Sequence, residues 1–197
     1  MSRPNHIIAA PCELTVSRIV VITGAPASGK STIAHVVRDA LAWPLFAKDE
    51  FKELLFDSLG WSDRAHSKRM SAAAYALMFA AATQLARAQQ PCILEGNFRW
   101  SEQQARFGAL AASGTRFLQI FVTASPDVLA ARFEARSRWR HPGHVDEASA
   151  TEILRELREM PAQPLPLGCE LIELRTDAAE TPAASCVARV REWARDA

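Results

Sequence analysis

A doubly wound α/β domain, with a parallel five-stranded sheet between two layers of helices, is the fold class this sequence predicts. Three observations predict it. Short apolar runs alternate with longer helical segments along the chain. A glycine-rich turn separates the first such run from the first helix. Strands joined by helical crossovers must lie parallel, and right-handed connections then put helices on both faces of the sheet.

The first run, Arg18-Ile-Val-Val-Ile-Thr23, is continuous rather than alternating, as expected of a central strand buried on both faces. A helix from about Gly29 to Leu41 follows the turn. Pro44-Leu-Phe-Ala47 is the second strand, and Asp49 is placed to cap a helix carrying Phe51, Leu54, Leu55 and Leu59 at helical spacing and stopping near Gly60. The composition of 66–89 predicts a long Ala-rich helix. Its apolar run, Ala72 to Ala82, is too short to span a bilayer and suits close helix packing. Pro91 punctuates, and Cys92-Ile-Leu-Glu95 supplies the third strand. Ser101 to Ser113 is helical with Ser101 as the expected cap, and Thr115 to Val122 is the fourth strand. Pro126 falls in the first turn of the next helix, where its missing donor costs little. Arg-rich sequence runs to His144. A helix from Asp146 to Met160, a proline-rich connection, a fifth strand at Glu170 to Leu174 and a final helix at Pro182 to Arg195 complete the alternation.

Residues 1–16 carry two prolines and no sustained period, which predicts a loose lead-in ahead of one domain over 17–197. At 197 residues and 49% hydrophobic content, one substantial core is expected. The 23 basic residues nearly balance the 22 acidic ones, so the global field gives no reason to expect a partner in long nucleic acid or an anionic membrane. Cys12, Cys92, Cys169 and Cys186 form no CxxC pair and read as free thiols suited to a reducing cytoplasm. The N-terminal apolar stretch is broken by Pro11 and Glu13, a poor signal-peptide core.

Chemistry concentrates at Gly24-Ala25-Pro26-Ala27-Ser28-Gly29-Lys30-Ser31, which satisfies G-x-x-x-x-G-K-[ST] between a strand and a helix. Glycines let the backbone curl so that successive N–H groups face phosphate oxygens, and the helix start adds its positive dipole end. Lys30 is expected to reach the β- and γ-phosphates, the Ser31 hydroxyl to ligate Mg²⁺, and Thr32 to approach the α-phosphate. The competing reading is a plain glycine turn with a solvated lysine, which the agreement of strand, spacing and helix disfavours.

With this loop, Lys48-Asp49, Glu95-Gly96-Asn97 and the Arg-rich stretch from Arg132 to His144, the chain resembles the small P-loop kinases, most of all the group around polynucleotide kinase, chloramphenicol phosphotransferase and the zeta toxins. The resemblance spans most of 17–195. It implies a P-loop NTPase fold with ATP and Mg²⁺ as cofactors, and a lid around 132–146. It also implies that Asp49 orients the attacking hydroxyl, although Asp49 could serve as a helix cap as well. At Glu95 the wider class usually has an aspartate that holds a Mg²⁺-bound water. Glutamate there is open to the metal role, to touching the substrate hydroxyl, to fixing Lys30 or to a structural role. Asn97 and Arg99 are expected on the substrate side. Arg132 and Arg136, one turn apart, with Arg138 and Arg140, match lid arginines that offset transition-state charge or bind nucleotide, the alternative being a solvated Arg-rich helix. Thr176, in Arg175-Thr-Asp177, matches a loop passing over adenine. His141 and His144 lack an evident third metal ligand and are expected to bond locally or to contact substrate.

The implied activity is transfer of the ATP γ-phosphoryl group to a hydroxyl of a small molecule. Two alternatives stay open: a kinase for polynucleotide 5′-hydroxyls, and a nucleotide-binding regulatory or toxin-like module with little turnover. The acceptor, any protein partner and the oligomeric state are not legible in these residues.

Overall fold

The computed structural model describes residues 16–137, 140–159, 162–178 and 183–196. All of the expected lead-in except Val16, together with Cys12 and Arg138, lies outside these residues. Five parallel strands form one sheet in the order β2-β3-β1-β4-β5, where β1 is Arg18–Gly24, β2 Leu45–Ala47, β3 Cys92–Glu95, β4 Arg116–Thr123 and β5 Glu170–Arg175. Helices α1 (Lys30–Leu41), α2 (Lys48–Leu59), α3 (Arg64–Arg87), α4 (Trp100–Ala112), α5 (Pro126–Ser137), α6 (Asp146–Glu159) and α7 (Ala183–Arg195) connect or follow them.

The continuous apolar character of β1 has a direct cause. Ile19, Val20, Val21 and Ile22 are all fully buried, and successive side chains enter opposite cores. Val20 and Ile22, with Ile93, Ile120 and Ile172, pack on Ile33 and Val37 of α1 and on Val190 and Trp193 of α7. Ile19 and Val21, with Leu94 and Phe117, pack on Tyr75, Met78 and Phe79 of α3 and on Phe107 and Leu110 of α4. Three layers follow from that alternation. The chain winds from β1 to one edge, then crosses to the other, so the C-terminal ends of β1 and β3 form the switch point where open α/β sheets bind ligands.

Several expected details change. The N-cap position of α2 is Ala47, with no side-chain cap; Asp49 is the second helical residue, so it is not the cap. Because β2 runs into α2 with no intervening loop, the strand exit fixes which face turns inward. That face carries Lys48, Lys52 and Phe56, whereas Leu54 and Leu59, expected on the apolar side, are 62% and 65% exposed. Helix α3 starts earlier than its composition suggested because the Asp63 carboxylate caps it, accepting from the His66 amide at 2.8 Å. Only one face of its Ala-rich run is buried. Ser101 lies inside the first turn of α4, with Arg99 at the cap position, so Ser101 is not the cap either. Among the described residues no helix is long and apolar enough to cross a membrane. Cys92, Cys169 and Cys186 are free thiols, and burial pushes the Cys92 thiol up to about 12.

One aromatic wedge holds α3 and α4 to the sheet. The Phe107 ring lies 5.0 Å from Phe79, 5.4 Å from Phe98 and 6.0 Å from Phe117, all near-perpendicular. Phe107→Ala is expected to cost about 3–5 kcal/mol of unfolding free energy in a urea melt; a cost below about 1 kcal/mol would show that the wedge does not secure this layer.

Candidate active site

The loop 24–31 is shaped by its neighbours. At Gly24 (φ 147°) a Cβ would lie 1.9 Å from the Val122 carbonyl oxygen of β4, so any side chain is excluded. Ala27 (φ 62°) and Gly29 (φ 87°) both adopt left-handed backbone, the handedness that gathers amides into an anion-binding nest. No side chain caps α1, which leaves its first amides to an anion. From outside, the Thr176 hydroxyl donates to the Ser28 carbonyl at 2.9 Å, and Arg132 donates to both the hydroxyl and the carbonyl of Thr176 at 2.9 and 2.6 Å. The loop is thereby strapped to the end of β5.

Lys30, the first residue of α1, is buried and donates to the Ala25 carbonyl at 2.9 Å. Burial lowers its pKa, and the Glu95 and Asp49 carboxylates oppose that shift. Ala25 itself packs with Ala124, Leu129 and Leu157, which ties the loop to α5 and α6. Ser31 Oγ lies 3.5 Å from Glu95 Oε2, and Glu95, beside Ile22 at the end of β3, is 4% exposed. Burial raises the Glu95 pKa, with Lys30 opposing. A hydroxyl and a carboxylate side by side form the hard oxygen donor pair that Mg²⁺ takes from a protein when phosphates and water complete its shell, so Ser31 and Glu95 fit that ion. Thr32 is exposed on the first turn of α1.

Across from the loop stands Asp49. Its Oδ1 accepts from Lys48 Nζ at 2.9 Å, and its Oδ2 is in contact with the Arg140 guanidinium. Burial alone would raise its pKa, but Lys48 and Arg140 win and hold the carboxyl well below its ordinary range. Asp49 is therefore an ionised hydrogen-bond acceptor.

The segment around 140–144 docks on α2. Asp49, Glu53 and Asp57 succeed one another at i, i+4 and i+8, and meet Arg140, His144 at 2.8 Å and His141 at 3.3 Å respectively. His144 is buried; desolvation, with the nearby Arg140 cation, holds it neutral, so its Nε2–H donates to Glu53. Burial, with the Asp49 charge, raises the Glu53 pKa. The Phe56 ring stacks on His141 at 5.1 Å, and Gly143 presses on the same ring so closely that a Cβ there would lie 2.6 Å from Phe56 Cδ2.

The arginines expected to act together thus divide. Arg132 braces Thr176, Arg136 faces the main cavity, and Arg140 holds Asp49. Asn97 accepts from the Tyr75 hydroxyl at 3.3 Å, and Arg99 pairs with Glu156 at 3.0 Å. Gly96 allows close approach, since a Cβ there would lie 3.3 Å from Lys48 Cβ. A cavity of about 750 Å³ brings together Pro26, Lys30, Ser31, Asp49, Glu95 and Asn97, with Arg99, Arg136 and Arg140 also on its wall. Thr176 and Arg132 lie outside it, behind the loop. Sequence reasoning singled out Lys48 only as part of the Lys48-Asp49 segment, with no role of its own, and missed Lys52, Glu53 and Phe56. The four-residue spacing of Asp49, Glu53 and Asp57 was the one signal that could have marked α2 as a docking face.

A family model described as AAA domain matches residues 19–160, well over half of the chain. This chain belongs to that AAA domain family. It is 37% identical to a candidate kinase of Chloroflexus aurantiacus j-10-fl, with a TM-score of 0.83 over 90% of this chain and 98% of that one. These two matches place it with the P-loop small-molecule kinases. The APS kinase of Mycobacterium tuberculosis, in complex with AMPPNP and APS, shares the fold at 21% identity and TM-score 0.59, over 91% of this chain and 98% of that one. A sugar kinase from Janibacter sp. HTCC2649 does so at 18% identity and TM-score 0.55, covering 90% and 94% of the two chains. A comparison with curated proteins gives no match.

The depressed Asp49 pKa has a stability signature. Its ion pairs contribute above the ordinary carboxyl value of 3.8 and are lost as pH falls through the lower folded value. Wild type is expected to exceed Asp49→Asn in stability by no more than about 1 kcal/mol at neutral pH, since the pair is part-exposed, with the gap closing below 3.8. Denaturant melts across that range check it; a pH-independent gap would contradict the pairing.

Proposed function

We propose that this P-loop kinase transfers the γ-phosphoryl group of Mg-ATP to a hydroxyl of a small molecule. One observation carries the reading: the phosphate loop and an ionised carboxylate, Asp49, face one cavity, with the Ser31 and Glu95 oxygens beside Lys30 on the loop side. A triphosphate in the loop would point its terminal group toward Asp49, and a hydroxyl donating to Asp49 would stand in line behind it.

In this reading Lys30 and Arg136 offset charge on the transferred group, while the loop amides hold the phosphates still. Ser31 and Glu95 would hold Mg²⁺, which when bound would supply further neutralisation of the phosphate charge. Asp49 accepts the hydroxyl hydrogen bond without giving up Lys48 or Arg140, because a carboxylate offers about four lone-pair sites. Held well below its ordinary pKa, it orients the nucleophile early and takes the proton late, as the new oxygen–phosphorus bond forms and ADP leaves. A loose transition state asks for little more. Arg132 and Thr176 act on the loop from behind, where an adenine ring would lie. The match to a candidate kinase at 37% identity supports the reading, and the fold is one that, in APS kinase, is found with AMPPNP and APS. A reducing cytoplasm is the setting this reading takes for the three free thiols.

Calorimetric titration with Mg-ATP and assay of ADP release with pooled hydroxyl metabolites separate the roles. Lys30→Met is expected to stay folded and to lose turnover. Asp49→Asn is expected to keep ATP affinity within about threefold while turnover falls about 10²–10⁴-fold. Undiminished turnover in Lys30→Met, or equal losses of affinity and rate in Asp49→Asn, would sink the scheme.

A further inference from the structure

We infer that Gln103 is a specificity-determining residue of the acceptor site: its carboxamide N–H groups donate to an acceptor oxygen other than the hydroxyl that takes the phosphoryl group. The acceptor is then an oxygen-rich molecule, with a further hydroxyl, ether or carbonyl, rather than a simple alcohol. This rests on the phosphotransfer reading and narrows the substrate class of the same cavity.

Burial motivates it. Gln103 and Gln119 are the carboxamides buried among the described residues, each 2% exposed. They are bonded differently. Gln119 closes both ends on one backbone residue, donating to the Leu165 carbonyl at 3.0 Å and accepting from the Leu165 amide at 2.7 Å. Gln103 stands on the wall of the main cavity and accepts from Arg106 at 2.7 Å through Oε1. Among the described residues its nitrogen has no acceptor. That nitrogen still reaches solvent, and the space it reaches is the cavity that Gln103 lines.

The orientation of this amide is fixed by its partner. A guanidinium has donors and no acceptor, so the atom facing Arg106 is the carbonyl oxygen, and the N–H groups are what remains for a ligand. Arg106 is itself braced, with its guanidinium 5.7 Å from the centre of the Phe79 ring and hence against the aromatic wedge. An amide donor withdrawn from bulk water without an acceptor costs free energy, and a ligand oxygen would offset that cost. Asn97 repeats the pattern on the same wall: its Oδ1 accepts from the Tyr75 hydroxyl, which leaves its N–H groups as donors too.

Position links this wall to the reacting hydroxyl. Lys48 Nζ bonds Asp49 and lies 6.0 Å from the centre of the Tyr75 ring. Phe79, on which Arg106 rests, is one helical turn further along α3. The turn from Tyr75 to Phe79 therefore runs from the Asp49 side of the cavity to the Gln103 side. An acceptor whose hydroxyl meets Asp49 extends along it. Nucleotide phosphates have their donors in the loop amides and Lys30, which leaves the two carboxamides to the acceptor.

Paired probes test this. Each pair holds an oxygen-rich alcohol and the analogue lacking one further oxygen, such as glycerol with its deoxy diols, hexoses with deoxyhexoses, and nucleosides with deoxynucleosides. ADP release is measured at saturating Mg-ATP for wild type, Gln103→Leu and Gln103→Met. Wild type is expected to favour the oxygen-bearing member of at least one pair by about 10–100-fold in kcat/KM. Each variant is expected to lose that preference, its kcat/KM falling only for the oxygen-bearing member, with KM for ATP unchanged. Gln103→Met keeps the length of the side chain, so the test stands if Gln103→Leu fails to fold. Equal losses for both members of every pair would reduce Gln103 to a brace for Arg106, and preferences intact in both variants would likewise overturn the inference; either leaves phosphotransfer standing. No turnover of any probe by wild type would instead remove the phosphotransfer reading, and this inference with it.

Discussion

The close approach of β1 and β4 at Gly24 is the constraint on which the rest depends. With the Val122 carbonyl 1.9 Å from where a Cβ would sit, the chain must leave the sheet as bare backbone. It then curls through left-handed residues at Ala27 and Gly29 before α1 can begin. That curl turns amides toward one point, sets Lys30 at the first helical position, and places Ser31 beside Glu95 at the neighbouring strand end. The sheet order does the remainder, because β3 and β4 flank β1 and carry their following segments to the same edge. A phosphate site is the local consequence of a packing requirement.

A second dependence links the far side of the cavity to a turn distant in sequence. Arg140 reaches Asp49 across 91 residues, and His144 reaches Glu53 across the same interval. Gly143 is pressed so tightly on Phe56 that the turn has little room to slide. The Arg140 contact that helps dock the turn thus also joins Lys48 in keeping Asp49 ionised. One contact both docks the turn at the cavity and helps prepare its carboxylate, an arrangement that suits the proposed transfer to an alcohol.

Much of the fold was legible because each strand obeys a local rule. Continuous apolar runs at 18–23 and 92–94 mean burial on two faces, and the G-x-x-x-x-G-K-S string has one geometry between a strand and a helix. What escaped is what depends on orientation. The face that α2 buries is set by the strand leading into it, so Leu54 and Leu59 point to solvent while Lys52 goes inside. Spacing along the chain also grouped Arg132, Arg136 and Arg140, whereas a 3.6-residue period and the turn after α5 send them to Thr176, the cavity and Asp49. Residue types announced phosphate chemistry; only tertiary contact shows which carboxylate each cation serves.

In the proposed function, this cavity moves a phosphoryl group from ATP to an alcohol. Its most direct test is mass spectrometry of a pooled library of hydroxyl metabolites, nucleosides and 5′-hydroxyl oligonucleotides incubated with the protein, Mg²⁺ and ATP, scored against Lys30→Met. The expected result is one acceptor that gains a single phosphoryl group with wild type and none with the variant. Tight ATP binding with no phosphorylated product in any pool, or a product formed equally by Lys30→Met, would contradict it.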